Sequence, residues 1–135
     1  MIIARDVPLM ALKSAVFKAI KEKQSMAVHG LVPPKAAFPY ITIDAVMAKP
    51  ADTKVDVLWN VTTTVNIWAT EEQQAQVYEA INDITTIFSH YGTALDLGTA
   101  YKVLDCNIEL AEVFPEQTTG FHGTMQLSFL LERKS

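Results

Sequence analysis

Three histidines (His29, His90 and His122), one cysteine (Cys106) and scattered carboxylates are the side chains of this sequence best suited to chemistry. None of the histidines stands at metal-ligand spacing to another histidine or to Cys106, so a zinc site is not expected. A lone cysteine also excludes an internal disulfide and a CxxC metal site. A serine or cysteine nucleophile would need one of these histidines beside it in space. Cys106, however, falls between Leu104 and Ile108 at inward positions of a strand, where cysteine behaves as a small inert hydrophobe. No GxSxG, P-loop, GxGxxG or HExxH pattern occurs. Glu71 and Glu72 stand together, but in the first turn of a helix, where the macrodipole favours anions without any acid or base role. The reading is a protein with no catalytic residue, no cofactor and no metal.

Composition points the same way. The chain has 135 residues, 50% apolar and 19% charged, with a formal charge of -4. That suits one globular domain over residues 1–135, large enough for a core without staples. There is no run of Lys and Arg to grip nucleic acid, although an anionic protein can surround DNA without binding it. No stretch reaches the roughly 18 apolar residues of a membrane span, and the first residues lack a basic region ahead of a hydrophobic one. Neither a membrane partner nor a signal peptide is expected, and the expected location is cytoplasmic.

The elements that would position these residues centre on Val55–Gly92. Val55, Val57, Trp59, Val61, Thr63, Val65 and Ile67 alternate with polar positions, predicting a strand of about 13 residues with one buried face. A helix follows at once: Thr70 and Gln73 form a capping box, and Val77, Ala80, Ile81, Ile84, Ile87, Phe88 and Tyr91 recur at helical spacing up to Gly92, read as C′. Ahead of this unit, Pro8 to about Gln24 reads as an amphipathic helix capped by Asp6, its lysines on the wet face. Ser25–Pro39 reads as an apolar loop broken by Gly30, Pro33, Pro34 and Pro39, and Tyr40–Met47 as a strand. Ala48–Lys54 is the exposed tip of a hairpin. Behind the unit, Tyr101–Phe114 is a strand with Leu104, Cys106, Ile108 and Leu110 inward. Pro115–Gly120 is a turn, and Phe121–Arg133 is a strand with Phe121, Met125, Leu127, Phe129 and Leu131 on one face. The predicted fold is α+β, in the order α-β-β-α-β-β, an antiparallel sheet with two helices packed on one face.

Three stretches then resemble one family. FPYITI at Phe38–Ile43, VNIWA at Val65–Ala69 directly before a helix, and FHGTMQLSF at Phe121–Phe129 are similar in order and spacing to the tail completion proteins of long-tailed bacteriophages and prophages. LMALKSAVFKAI in the first helix matches as well, so the resemblance spans nearly the whole chain. The PEQTTG turn departs from the Asp/Gly/Arg-rich tip often found in the family. The resemblance implies a tail-terminator-like fold and a virion protein at the head-proximal end of the tail. Its implied partners are itself in a hexameric ring, the tail tube protein and the head connector or neck protein, with DNA passing through the lumen unbound. Ring closure requires unlike patches to meet. The candidates are Leu31, Val32, Pro33, Pro34 and Phe38 in the first loop, Pro50 and Asp52 at the hairpin tip, and Glu116 and Gln117 in the last turn. The outward Thr62, Thr64 and Asn66 of the long strand add a sheet face. Two alternatives remain open: another neck component of the same fold, or a small-molecule-binding α+β domain with a polar pocket around His122, Asp105 or Asn107.

Overall fold

The computed structural model describes residues 7–134. In chain order it contains α1 (Leu9–Lys23), β1 (Ala27–His29), β2 (Tyr40–Pro50), β3 (Leu58–Ala69), α2 (Gln74–Tyr91), β4 (Tyr101–Glu116) and β5 (Gly120–Arg133). The strands form one sheet in the order β1-β2-β3-β5-β4. Every pairing is antiparallel except β1 with β2. Both helices pack on one face: α1 lies over β1 and β2, while α2 lies over β3, β4 and β5. The α+β architecture expected from the sequence is therefore the one observed.

Alternation in β3 sets the core. Trp59, Val61, Thr63, Val65 and Ile67 are all buried against the helices, as expected. They meet Met125, Leu127, Phe129 and Leu131 of β5, Leu12, Val16 and Ile20 of α1, and Val77, Ile84 and Phe88 of α2. Burying each such side chain fully is worth about 1.5–3 kcal/mol relative to exposure. Phe129 meets Phe88 edge-on, with ring centroids 6.0 Å apart and planes at 80°.

The structure departs from the sequence reading at several points. β2 runs on to Pro50 and β3 starts only at Leu58, so the hairpin tip occupies residues 51–57. Val55, expected on the buried face, is 88% exposed there. The tip is held by its own side chains: Asp52 accepts the Leu58 amide at 3.0 Å, and Thr53 accepts the Asp56 amide at 3.0 Å. Within the supposed loop of residues 25–39, Ala27–His29 pairs in parallel with Tyr40–Thr42. Three residues are too few to show a period. The anticipated cap Asp6 lies outside the described residues, and Pro8 occupies the position flanking α1.

In β4, Leu104 and Leu110 are 42% and 47% exposed instead of inward. The register slips between Val103 and Asp105 and again between Ile108 and Leu110, where β5 advances one residue and β4 advances two. Each bulge moves the following side chains to the opposite face. Cys106 and Ile108 stay on the helix side, half-buried.

α2 is entered through a 3-10 turn, Glu71–Gln73. Gln73 Oε1 accepts the Thr70 amide at 3.0 Å, and its Nε2 donates to the Phe38 carbonyl at 3.0 Å. At the other end Gly92 is not left-handed; its φ of -58° and ψ of -38° are helical. Glycine is needed for close approach, because a Cβ there would stand 2.6 Å from Cys106 Sγ. Gly92→Ala should cost about 1–3 kcal/mol by urea denaturation. A loss under about 0.5 kcal/mol would show that β4 yields freely.

Candidate functional site

The face of the sheet turned away from the helices carries no further layer of the described chain. At its Tyr40 end five side chains from three strands close into a ring of contacts. Trp68 Nε1 donates to Thr42 Oγ1 at 3.0 Å, and Thr42 Oγ1 donates to Asp44 Oδ2 at 3.0 Å. Asn66 Nδ2 donates to the same Asp44 oxygen. Asn66 Oδ1 in turn accepts from His122 Nε2 at 2.7 Å. The His122 ring stacks on Trp68, with centroids 4.0 Å apart and planes at 21°, which completes the circuit. Phe114 flanks the imidazole at 4.8 Å, and Glu116 Oε2 lies 3.7 Å from its Nδ1.

Backbone register makes this possible. Thr42 opposes Asn66, Trp68 opposes His122, and Asn66 opposes Thr124, so all project to the same face. VNIWA contains Trp68, and FHGTMQLSF contains the histidine, His122. Its observed partners are the Asn66 amide and the Trp68 ring, which no local sequence signal joins. The arrangement braces the face, with the Thr42 hydroxyl held between Trp68 Nε1 and Asp44 Oδ2.

The residues expected to meet partners fall into four places. Leu31, Val32, Pro33 and Pro34 form an exposed apolar tip, with Leu31 93% exposed. Phe38 is different: half-buried, it stacks on Tyr40 at 5.1 Å. Glu116 and Gln117 lie at the Tyr40 end of the sheet, at its other edge, because β2 begins and β4 finishes there. Pro50 and Asp52 lie at the opposite end, about 40 Å away along a 12-residue strand. Thr62 and Thr64 are half-buried on the open face between the two ends, and Asn66 is only 8% exposed.

A converging polar pocket does not form around His122, Asp105 and Asn107. Asp105 opposes Leu130 while His122 opposes Phe114, eight positions along β5 and roughly 27 Å away. Asn107 Nδ2 instead donates to Asp105 Oδ2 at 3.0 Å. The recess of about 490 Å³ between the Glu71–Glu72 turn and the β4–β5 turn is open and lined by Glu71, Glu72 and Glu116. Cys106 is likewise unsuited to attack. Burial, with the neighbouring Asp105 carboxylate adding to it, pushes its thiol up to about 11 from 9.0. Since the folded state holds that proton more tightly, stability should fall as pH rises from about 9 towards 11. Alkylation at pH 8 should run about 100-fold slower than for a free thiol, from the tenfold loss of thiolate per pH unit; Ellman titration of native and unfolded protein checks this.

Solved structures share this fold. A chain from the virion of the native gene transfer agent particle superposes with a TM-score of 0.74 at 14% identity, covering 97% of this chain and 100% of that one. The gp17 protein of bacteriophage SPP1 superposes with a TM-score of 0.55 at 18% identity, covering 92% of this chain and 91% of that one. The class is thus an α+β fold shared with proteins of a gene transfer agent particle and of a bacteriophage. The tail completion protein gp17 family matches residues 11–132, and the chain belongs to that family. Membership gives it a structural role in a phage tail or neck. A search of curated protein sequences finds no match.

Proposed function

We propose that this chain is the subunit of a homo-oligomeric ring, a hexamer by its family resemblance, which caps the head-proximal end of the tail tube. The ring ends tube polymerisation and offers its other face to the head connector, with DNA passing through the lumen ungripped. The observation that carries the reading is the placement of exposed connections at both ends of one sheet. Gln117 and the half-buried Glu116 project at one end, and Pro50 and Asp52 at the other. A subunit joining two unlike structures along an axis needs two such ends. An apolar tip with Leu31 almost wholly exposed is also the kind of anchor that fills a partner's pocket. Thr62 and Thr64 belong to the open face, which the Asn66–His122 bracing keeps rigid.

The test is polymerisation of the cognate tail tube protein with and without this chain, followed by negative-stain microscopy. Tubes of bounded length carrying a ring at one end are expected. Leu31→Asp combined with Val32→Asp should abolish capping and leave the circular dichroism spectrum unchanged. Tubes of unaltered length, with no ring bound, would overturn the reading.

A further inference from the structure

The two edges of the sheet carry opposite charge. At the β1–β2 edge, α1 contributes Lys13, Lys18, Lys21 and Lys23 against a single Glu22, all exposed. Lys18 and Glu22 turn towards α2, lining a recess with Tyr91 and Leu95. Lys13, Phe17 and Lys21, spaced four apart, therefore share the side facing away from α2, and Lys21 Nζ lies 5.8 Å from the centre of the Phe17 ring. At the far edge, β4 carries Asp105, Glu109, Glu112 and Glu116 against Lys102, which is already paired with Glu132 at 3.2 Å. Between Glu109 and Glu112 lie the exposed Leu110 and Ala111.

We propose that the Glu109–Glu112 edge of one copy docks against the Lys13–Phe17–Lys21 side of α1 in the next copy. This rests on the ring reading and names its subunit contact. Each edge pairs an apolar centre with flanking charges, and the two signs are complementary. Because the patches are unlike and sit on opposite edges of one subunit, each contact leaves one patch of each kind free for a further copy. Such a head-to-tail contact closes into a ring when the rotation allows. Two copies meeting by the same patch would set lysine against lysine, or carboxylate against carboxylate, which electrostatic complementarity disfavours. Exposed charges on this scale are screened by salt, so assembly should weaken as ionic strength rises past about 0.15 M.

The test uses two charge-reversed variants of the full chain, Glu109→Lys/Glu112→Lys and Lys13→Glu/Lys21→Glu, beside the wild type. Sedimentation velocity up to millimolar concentration gives the oligomeric state, and circular dichroism verifies folding. Each variant alone should associate about tenfold or more weakly than wild type. Mixed in equal amounts, they should recover rings with an even number of subunits, because every contact then joins opposite signs. The quadruple variant, with both edges reversed, should recover as well. A wild-type ring that persists in both single-edge variants overturns this contact and leaves the ring standing. Dispersed variants that fail to recover on mixing also overturn it. A wild-type chain that stays monomeric throughout overturns the ring reading, and this contact with it.

Discussion

Replacing Gly120 by alanine should lower stability by about 3 kcal/mol or more, from a strained backbone of about 1–3 kcal/mol plus an overpacking term of similar size. Gly120 opens β5 at a φ of +127°, a conformation that side chains rarely adopt. A Cβ there would stand 2.5 Å from the Glu71 nitrogen and 2.6 Å from the Thr70 carbonyl carbon. Those are backbone atoms at the entry to α2, where the Gln73 side chain ties Thr70 in place. No rotamer change can relieve the clash, so either the β4–β5 turn or the start of α2 must move. For a domain of this size the midpoint of thermal unfolding should fall by roughly 6–12 °C. Thr118→Ala in the same turn, exposed, is the control and should stay within about 0.5 kcal/mol. Equal effects from the two substitutions would show that the turn, not the approach to Thr70, sets the cost.

Asn66→Ala should cost about 1–3 kcal/mol, the cost of a partly buried group left without its partner. The Asn66 amide donates to Asp44 and accepts from His122; its removal leaves His122 Nε2 without that acceptor, while the exposed Asp44 keeps the Thr42 hydroxyl. Thr64, one alternation away on the same face and half-buried, provides the comparison; Thr64→Ala should change stability by less than about 0.5 kcal/mol. Loss of Asn66 should also free the His122 ring stacked 4.0 Å from Trp68, and the tryptophan emission should shift. Trp59, buried on the opposite face, supplies a constant background. A destabilised variant with unchanged emission would mean that the stacking holds His122 without help from Asn66.

These two cases mark how far the residues themselves could be read. β3 and α2 were legible because each follows one period over a dozen or more residues and because Thr70 and Gln73 announce the helix. β4 obeys the same rule only in pieces. Its bulges reverse the phase at Leu104 and again at Glu109, and an alternation pattern has no means of showing an inserted residue. β1 is invisible because three residues hold no period, and because its parallel partner Tyr40–Thr42 lies across the loop of residues 30–39. The exposed tip at Leu31–Pro34 was legible from prolines set among apolar residues. The placement of Glu116 and Gln117 at the end of the sheet opposite Pro50 and Asp52 was not, since that follows from strand register. The bracing ring depends on pairing Asn66 with Thr42 and Trp68 with His122, which are 24 and 54 residues apart in the chain.

The two bulges of β4 bear on how an assembling protein avoids assembling too far. An uninterrupted 16-residue outer strand would be a template for another strand of the same kind, then another, without limit. Here the ladder is broken into short runs by Leu104 and Glu109, and Pro115 lacks an amide proton altogether. Backbone zippering of one chain onto the next is thereby frustrated along most of that border. What is left exposed is a pattern of side chains, Glu109, Leu110, Ala111 and Glu112, and the proposed contact, read by side chains alone, would stop once every such surface is occupied.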